Sequence, residues 1–170
     1  KEDIMGIIPG FVRGRLTLAS GSPVTTEDIT SASTLYFTPY KGNFVSLYDG
    51  LNWYYSAFSE LSLNISSYTA STPYDIFLYN NSGSLTMQGV AWTSGSVRAT
   101  GLATQDGVYV KSGSPNYLYL GSIYINSSGS NTSDSGATRY VWNNYNRISK
   151  PLFADDTTSS WTYTTNTFRP

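Results

Sequence analysis

Turn signals recur along this chain at short intervals, and no stretch between them is long enough, or periodic enough, for a helix. Ser20-Gly21-Ser22-Pro23, Asp49-Gly50, Asn80-Asn81-Ser82-Gly83 and Ser112-Gly113-Ser114-Pro115 each separate runs that alternate or are rich in aromatic and β-branched residues. No segment longer than about ten residues carries convincing 3.6-residue periodicity. The clearest hairpin signal is NFVSLY, then Asp49-Gly50, then LNWYYSAF. YDIFLYN and SLTMQGVAW flank the turn at 80–83. GVYVKSG and NYLYLGSIYI flank the turn at 112–115. In ELSLNIS, Leu61, Leu63 and Ile65 fall on one face. Many short strands joined by tight turns predict an all-β chain, an antiparallel β-sandwich or jelly-roll-like domain. No fixed repeat points to a solenoid or propeller.

Three stretches read less clearly. Residues 25–33 suggest one short helical turn or a loop. TRYVWNNYNRI fits a strand or a short helix. SSGSNTSDSGA, residues 127–137, reads as a polar, mobile loop. SWTYTTNTF closes the chain as a strand.

Residues 1–14 differ from the rest. Ile4, Met5, Ile7, Ile8, Phe11 and Val12 are apolar, while Gly6, Pro9, Gly10 and Gly14 oppose a helix. The expectation is an extended N-terminal arm over 1–14 that packs on its own domain or on a neighbouring subunit, the neighbour being favoured, with the β-sandwich domain spanning 15–170. Deleting residues 1–13 is then expected to leave the domain folded.

Composition narrows the function classes. Charged residues make up 12% of the chain, about half the usual share, and Ser, Thr, Asn and Gly take their place. With 15% aromatics, this is the make-up of extracellular or virion β-proteins. The net charge is −1 with no basic tract, so nucleic acid is not an expected partner. No apolar run approaches the roughly 20 residues of a membrane span, and KEDIMGIIPGF lacks the long apolar region of a signal peptide.

Cysteine and histidine are absent. That removes disulfides, thiolate zinc sites, the cysteine nucleophile and the commonest general base. The carboxylates offer no announced pair. Glu27-Asp28 and Asp155-Asp156 are chain neighbours, which on a strand face opposite ways. Asp49 and Asp106 precede glycines, as turn formers do. The reading is no enzyme, no cofactor and no metal site. Sequons at Asn64, Asn80, Asn126 and Asn131 are what chance produces in so polar a chain.

The aromatics remain to be placed. Phe77 with Tyr79, and Tyr117 with Tyr119, form same-side ridges that serve as core or as cross-strand pairs. The chain's 15 tyrosines are too many for all to be internal. Tyr40, Tyr54, Tyr117, Tyr119, Trp142 and Trp161 are the candidates for an aromatic interface, since such rings bury large area at low entropic cost.

The run GRLTLASGSPVTTEDITSASTLYFTPYKGNFVSLYDGLNWYYSAFSELSLNIS resembles a module that recurs in structural proteins of tailed bacteriophages, especially those of cyanobacteria and marine bacteria. The similarity continues through YDIFLYNNSGSLTM, WTSGSVRATGLATQDGVYVKSGSPNYLYLGSI, DSGATRYVWNNYNRISKPL and SWTYTTNTFRP, covering nearly everything from Gly14. The resemblance implies a virion component. The short apolar arm, in place of a fibre shaft, points to a capsid decoration (cement) protein on the outer capsid surface. It would bind the major capsid protein and assemble as a homo-oligomer, with a trimer the natural guess. The alternative is a receptor- or carbohydrate-binding module of a tail or head fibre, using the loops near 80–83, 112–116 and 127–137.

Overall fold

The structure, a computed structural model, describes residues 7–153. Among them the regular elements are all strands, and every pairing is antiparallel. The fold is an all-β sandwich, as the turn spacing predicts.

One layer contains β1 (Gly14–Thr17), β3 (Thr34–Pro39) and β6 (Leu61–Asn64), in the order β1-β3-β6. Separate short pairs join β2 (Ile29–Ala32) to β13 (Thr132–Asp134), and β4 (Phe44–Tyr48) to β5 (Trp53–Ala57). The larger layer orders β10 (Leu102–Gln105), β11 (Val108–Lys111), β12 (Ser114–Tyr124), β7 (Pro73–Asn81), β8 (Ser84–Ser94) and β9 (Val97–Arg98). β14 (Val141–Asn143) pairs with the second half of β12, beyond the point where β11 ends.

Alternation puts Leu35 and Phe37 of β3 against Ile76 and Leu78 of β7 and Leu118 and Leu120 of β12. All six are at most 2% exposed and belong to one core cluster. Removing such side chains from water, at about 25 cal/mol per Å², is the main force holding the layers together. Phe37 stacks on Phe58 at 4.8 Å and abuts Gly14, where an added Cβ would sit 2.3 Å from the tip of the ring. Gly121 sits at a register shift in β12 because a Cβ there would meet the Trp142 carbonyl oxygen at 2.0 Å.

The hairpin turns follow their residues. Asn81 pairs with Ser84 across Ser82 and Gly83, both at positive φ, the geometry that matches strand twist. The Asp49-Gly50 hairpin closes over a longer loop, since Tyr48 pairs with Trp53. There the Asp49 carboxylate accepts the amides of Leu51 and Asn52, both at 2.8 Å.

The three unclear stretches resolve as follows. In the stretch expected to be a helical turn or a loop, residues 25–28 are irregular and residues 29–32 form β2. TRYVWNNYNRI contains β14 and no helix. The expected mobile loop at 127–137 contains β13, and Thr132, Ser133, Asp134 and Ser135 are all buried. Side-chain hydrogen bonds make that burial affordable: Thr132 Oγ1 donates to the Tyr124 carbonyl at 2.6 Å and Ser133 Oγ to the Thr30 carbonyl at 2.8 Å. The strand expected at SWTYTTNTF lies outside the described residues.

The outer side of β1 is closed by amide side chains in place of a strand. Asn143 accepts the Leu16 N–H at 2.7 Å and donates to the Leu16 carbonyl at 3.0 Å. Asn146 donates to the Val12 and Gly14 carbonyls at 2.8 and 3.1 Å.

Candidate functional site

The arm and the β4–β5 hairpin meet on one surface. From Phe11 onward the chain runs along β4: Ser46 donates its N–H to the Phe11 carbonyl at 2.7 Å, and Arg13 donates to the Phe44 carbonyl at 2.9 Å. The Phe11 amide also donates to Ser46 Oγ at 2.9 Å. Val12, bridged to Val45, is 6% exposed and part of the core. Residues 11–13, which the sequence assigns to the arm, are therefore held on the chain's own domain.

What remains open is an apolar patch. β-Register places Phe44 and Tyr55 diagonally on the outward face of the hairpin, at 46% and 42% exposure. Phe11 meets Tyr55 edge-on at 5.5 Å, with the Arg13 guanidinium 4.8 Å over the Phe11 ring. The Ile8 amide donates to the Tyr55 hydroxyl at 3.0 Å, leaving the Ile8 side chain 62% exposed. Ile7 is half-buried. Ile4, Met5 and Trp161 lie outside the described residues. Phe44 and Tyr55 were not among the expected interface residues; their signal is the period-two spacing that sets them opposite Val45 and Leu47.

The expected interface aromatics disperse. Tyr40 is half-buried, with the Arg15 guanidinium 5.7 Å and the Lys41 ammonium 5.2 Å from its ring centre. Tyr117 stacks on Tyr79 at 4.3 Å across the β7–β12 pair, with the Lys111 ammonium 4.9 Å from its ring centre. Trp142 is 48% exposed. Tyr119 is buried: its hydroxyl lies 2.7 Å from Ser122 Oγ, which in turn donates to Asp75 at 2.7 Å. Burial pushes the Tyr119 phenol above its ordinary pKa. Asp75, 1% exposed, completes this network by taking Arg98 Nε at 2.7 Å. Tyr119 thus packs internally, and the reason is that β7 and β12 are covered on both faces around Asp75 and Phe77.

A second feature lies where the hairpin loops converge. A shallow groove of about 300 Å³ is lined by Tyr48, Asp49, Tyr54, Asn80, Ser82, Gly83 and Asn116. Asn80 Nδ2 donates to the Tyr54 hydroxyl at 3.1 Å, and Asn80 Oδ1 accepts the Gly83 amide at 2.7 Å. The backbone amides of Asn52 and Leu51 hold the Asp49 carboxyl below the usual carboxylate range. Rings beside amides and a carboxylate form a surface suited to sugar hydroxyls.

Most of the carboxylates in the described part have structural tasks. Asp134 pairs with Arg139 and Lys150, and Asp28 accepts the Gly136 amide at 2.8 Å. Asp106 accepts Trp53 Nε1 at 2.8 Å. Glu60 accepts Ser20 Oγ, the Gly21 amide and Thr38 Oγ1 at 2.5–2.6 Å. Among the described residues no cluster of three or more acidic side chains is placed to hold a metal ion, and no helix is long and apolar enough to cross a membrane. No family model matches the chain, and no curated protein or solved structure matches it either.

Proposed function

We propose that this chain is a non-enzymatic structural protein of a bacteriophage virion, a capsid decoration (cement) protein. It sits on the outer surface of the capsid and bridges major capsid subunits. The observation that carries this reading is the patch of Ile8, Phe11, Phe44 and Tyr55, apolar and continuous with the N-terminal arm. Covering such a patch stabilises an assembly by about 25 cal/mol per Å², which offsets the outward pressure of packaged DNA. A homotrimer at a three-fold position presents three such patches to neighbouring subunits.

The test is a cryo-EM reconstruction of the virion that carries the chain. Density on the icosahedral shell, with Ile8, Phe44 and Tyr55 against a capsid subunit, is the expected result. Density confined to tail or fibre tips would refute the reading. The groove of Tyr48, Tyr54, Asn80 and Asn116 favours a second reading in that case, a carbohydrate-binding module of a fibre.

A further inference from the structure

The chain's sparse cations are not evenly distributed. Arg15, Arg139, Arg147 and Lys150, four of the chain's ten Lys and Arg residues, line one cleft of about 480 Å³, and among the described residues Asp134 is the only carboxylate in its walls. Both Asp134 oxygens are occupied, one by Arg139 Nη1 at 3.0 Å and the other by Lys150 Nζ. Among the described residues three positive charges are left in excess, in a protein whose net charge is −1.

Arg15 makes the imbalance unusual. It is 4% exposed, yet its hydrogen-bond partners are carbonyls: Nε donates to Pro23 at 2.8 Å and Nη1 to Asn146. Its Nη2 has no hydrogen bond among the described residues, and neither does the exposed Arg147. A nearly buried guanidinium without a bonded anion is costly, and the cost falls when an anion enters beside it. Guanidinium groups take carboxylate and sulfate oxygens in paired hydrogen bonds. Trp142, 48% exposed, lies on the same cleft, as do Thr25 and Asn144. That combination offers a ring platform and hydroxyl partners next to the charges.

We propose that this cleft binds an acidic saccharide, a sugar ring bearing a carboxylate or a sulfate. Arg147 and Arg15 receive the anionic group, and Trp142 packs against the ring. These four cations share a single concavity, which suits a compact ligand better than an extended polyanion such as nucleic acid. The proposal does not depend on where in a virion the chain sits.

Isothermal titration of the full chain with tri-galacturonate, its neutral galactose counterpart and a sulfated galactose trimer tests it. Binding of the uronate or the sulfated trimer, with none for the neutral sugar, is expected; which acidic sugar binds identifies the group. R147A and W142A, both at exposed positions, are expected to weaken binding at least ten-fold without altering Tm. Lack of binding by either acidic trimer overturns the proposal, as does binding unchanged in R147A. Binding that W142A leaves intact, and that inorganic pyrophosphate displaces equally well, reduces the cleft to a plain anion trap and overturns the saccharide assignment.

Discussion

Where the N-terminal arm ends can be measured by truncation. Removing residues 1–13 deletes Val12, whose burial contributes about 1.5–2 kcal/mol. It also deletes the hydrogen bonds that Phe11 and Arg13 make to Phe44, Ser46 and Tyr40, and the one Val12 accepts from Asn146. At about 1 kcal/mol each these amount to roughly 5 kcal/mol, and Ser46, fully buried, loses its partners. Freeing three residues returns about 1–1.5 kcal/mol of chain entropy apiece. The net loss is about 2–4 kcal/mol, a large part of a typical domain's stability. Removing residues 1–9 spares all of these contacts. Urea unfolding followed by tryptophan fluorescence is expected to show the 1–9 deletion melting with the full chain. The 1–13 deletion is expected to melt about 1–2 M earlier. Equal midpoints for the 1–13 deletion and the full chain would refute the reasoning. The 1–13 deletion is thus expected to leave a folded but weakened domain, and the 1–9 deletion is the cleaner probe of capsid binding.

Two further perturbations probe the core and the charge network. Gly14→Ala places a methyl group 2.3 Å from the Phe37 ring, so a loss of about 1–3 kcal/mol is expected; a thermal melt that does not move would show that the ring gives way freely. Burial works to raise the Glu60 pKa, but hydrogen bonds from Ser20, Thr38 and Gly21 outweigh it and hold the value below the ordinary 4.5. A carboxyl depressed in the folded state stabilises above its unfolded pKa and loses that contribution as pH falls through the folded value. The urea midpoint of the full chain is therefore expected to drop more steeply below pH 5 than that of Glu60→Gln, and superimposable pH profiles would rule this out.

The strands that the sequence announces are those whose runs alternate or are rich in aromatic and β-branched residues between recognisable turns: β1, β3 through β8, β11 and β12. β13 escapes because its buried residues are polar, and β2 because its only covered residues are the half-buried Ile29 and Ala32 at its two ends. Thr132 and Ser133 satisfy themselves on backbone carbonyls of Tyr124 and Thr30, and no hydropathy pattern records that. Tyr119 is misplaced for a related reason. Period two separates the two faces of a strand, but it does not say which is covered, and here Ile76 and Phe77, adjacent in β7, are both fully buried. The cationic cleft is invisible in the sequence because Arg15 lies far along the chain from Arg139, Arg147 and Lys150. Their meeting depends on β14 settling beside β1, a consequence of sheet topology.

The amide brackets on β1 bear on how the chain is made. Leu16 and its neighbours leave the ribosome first, and Asn143 and Asn146, which close their outer edge, emerge more than a hundred residues later. Until then one side of β1 carries unpaired backbone groups, the kind of edge on which chains aggregate. The contacts that complete the sandwich are thus among the longest-range described, which slows folding and delays its completion until residues 143–146 have emerged. A chain released before residue 143 would carry a nearly complete core and an open, sticky edge.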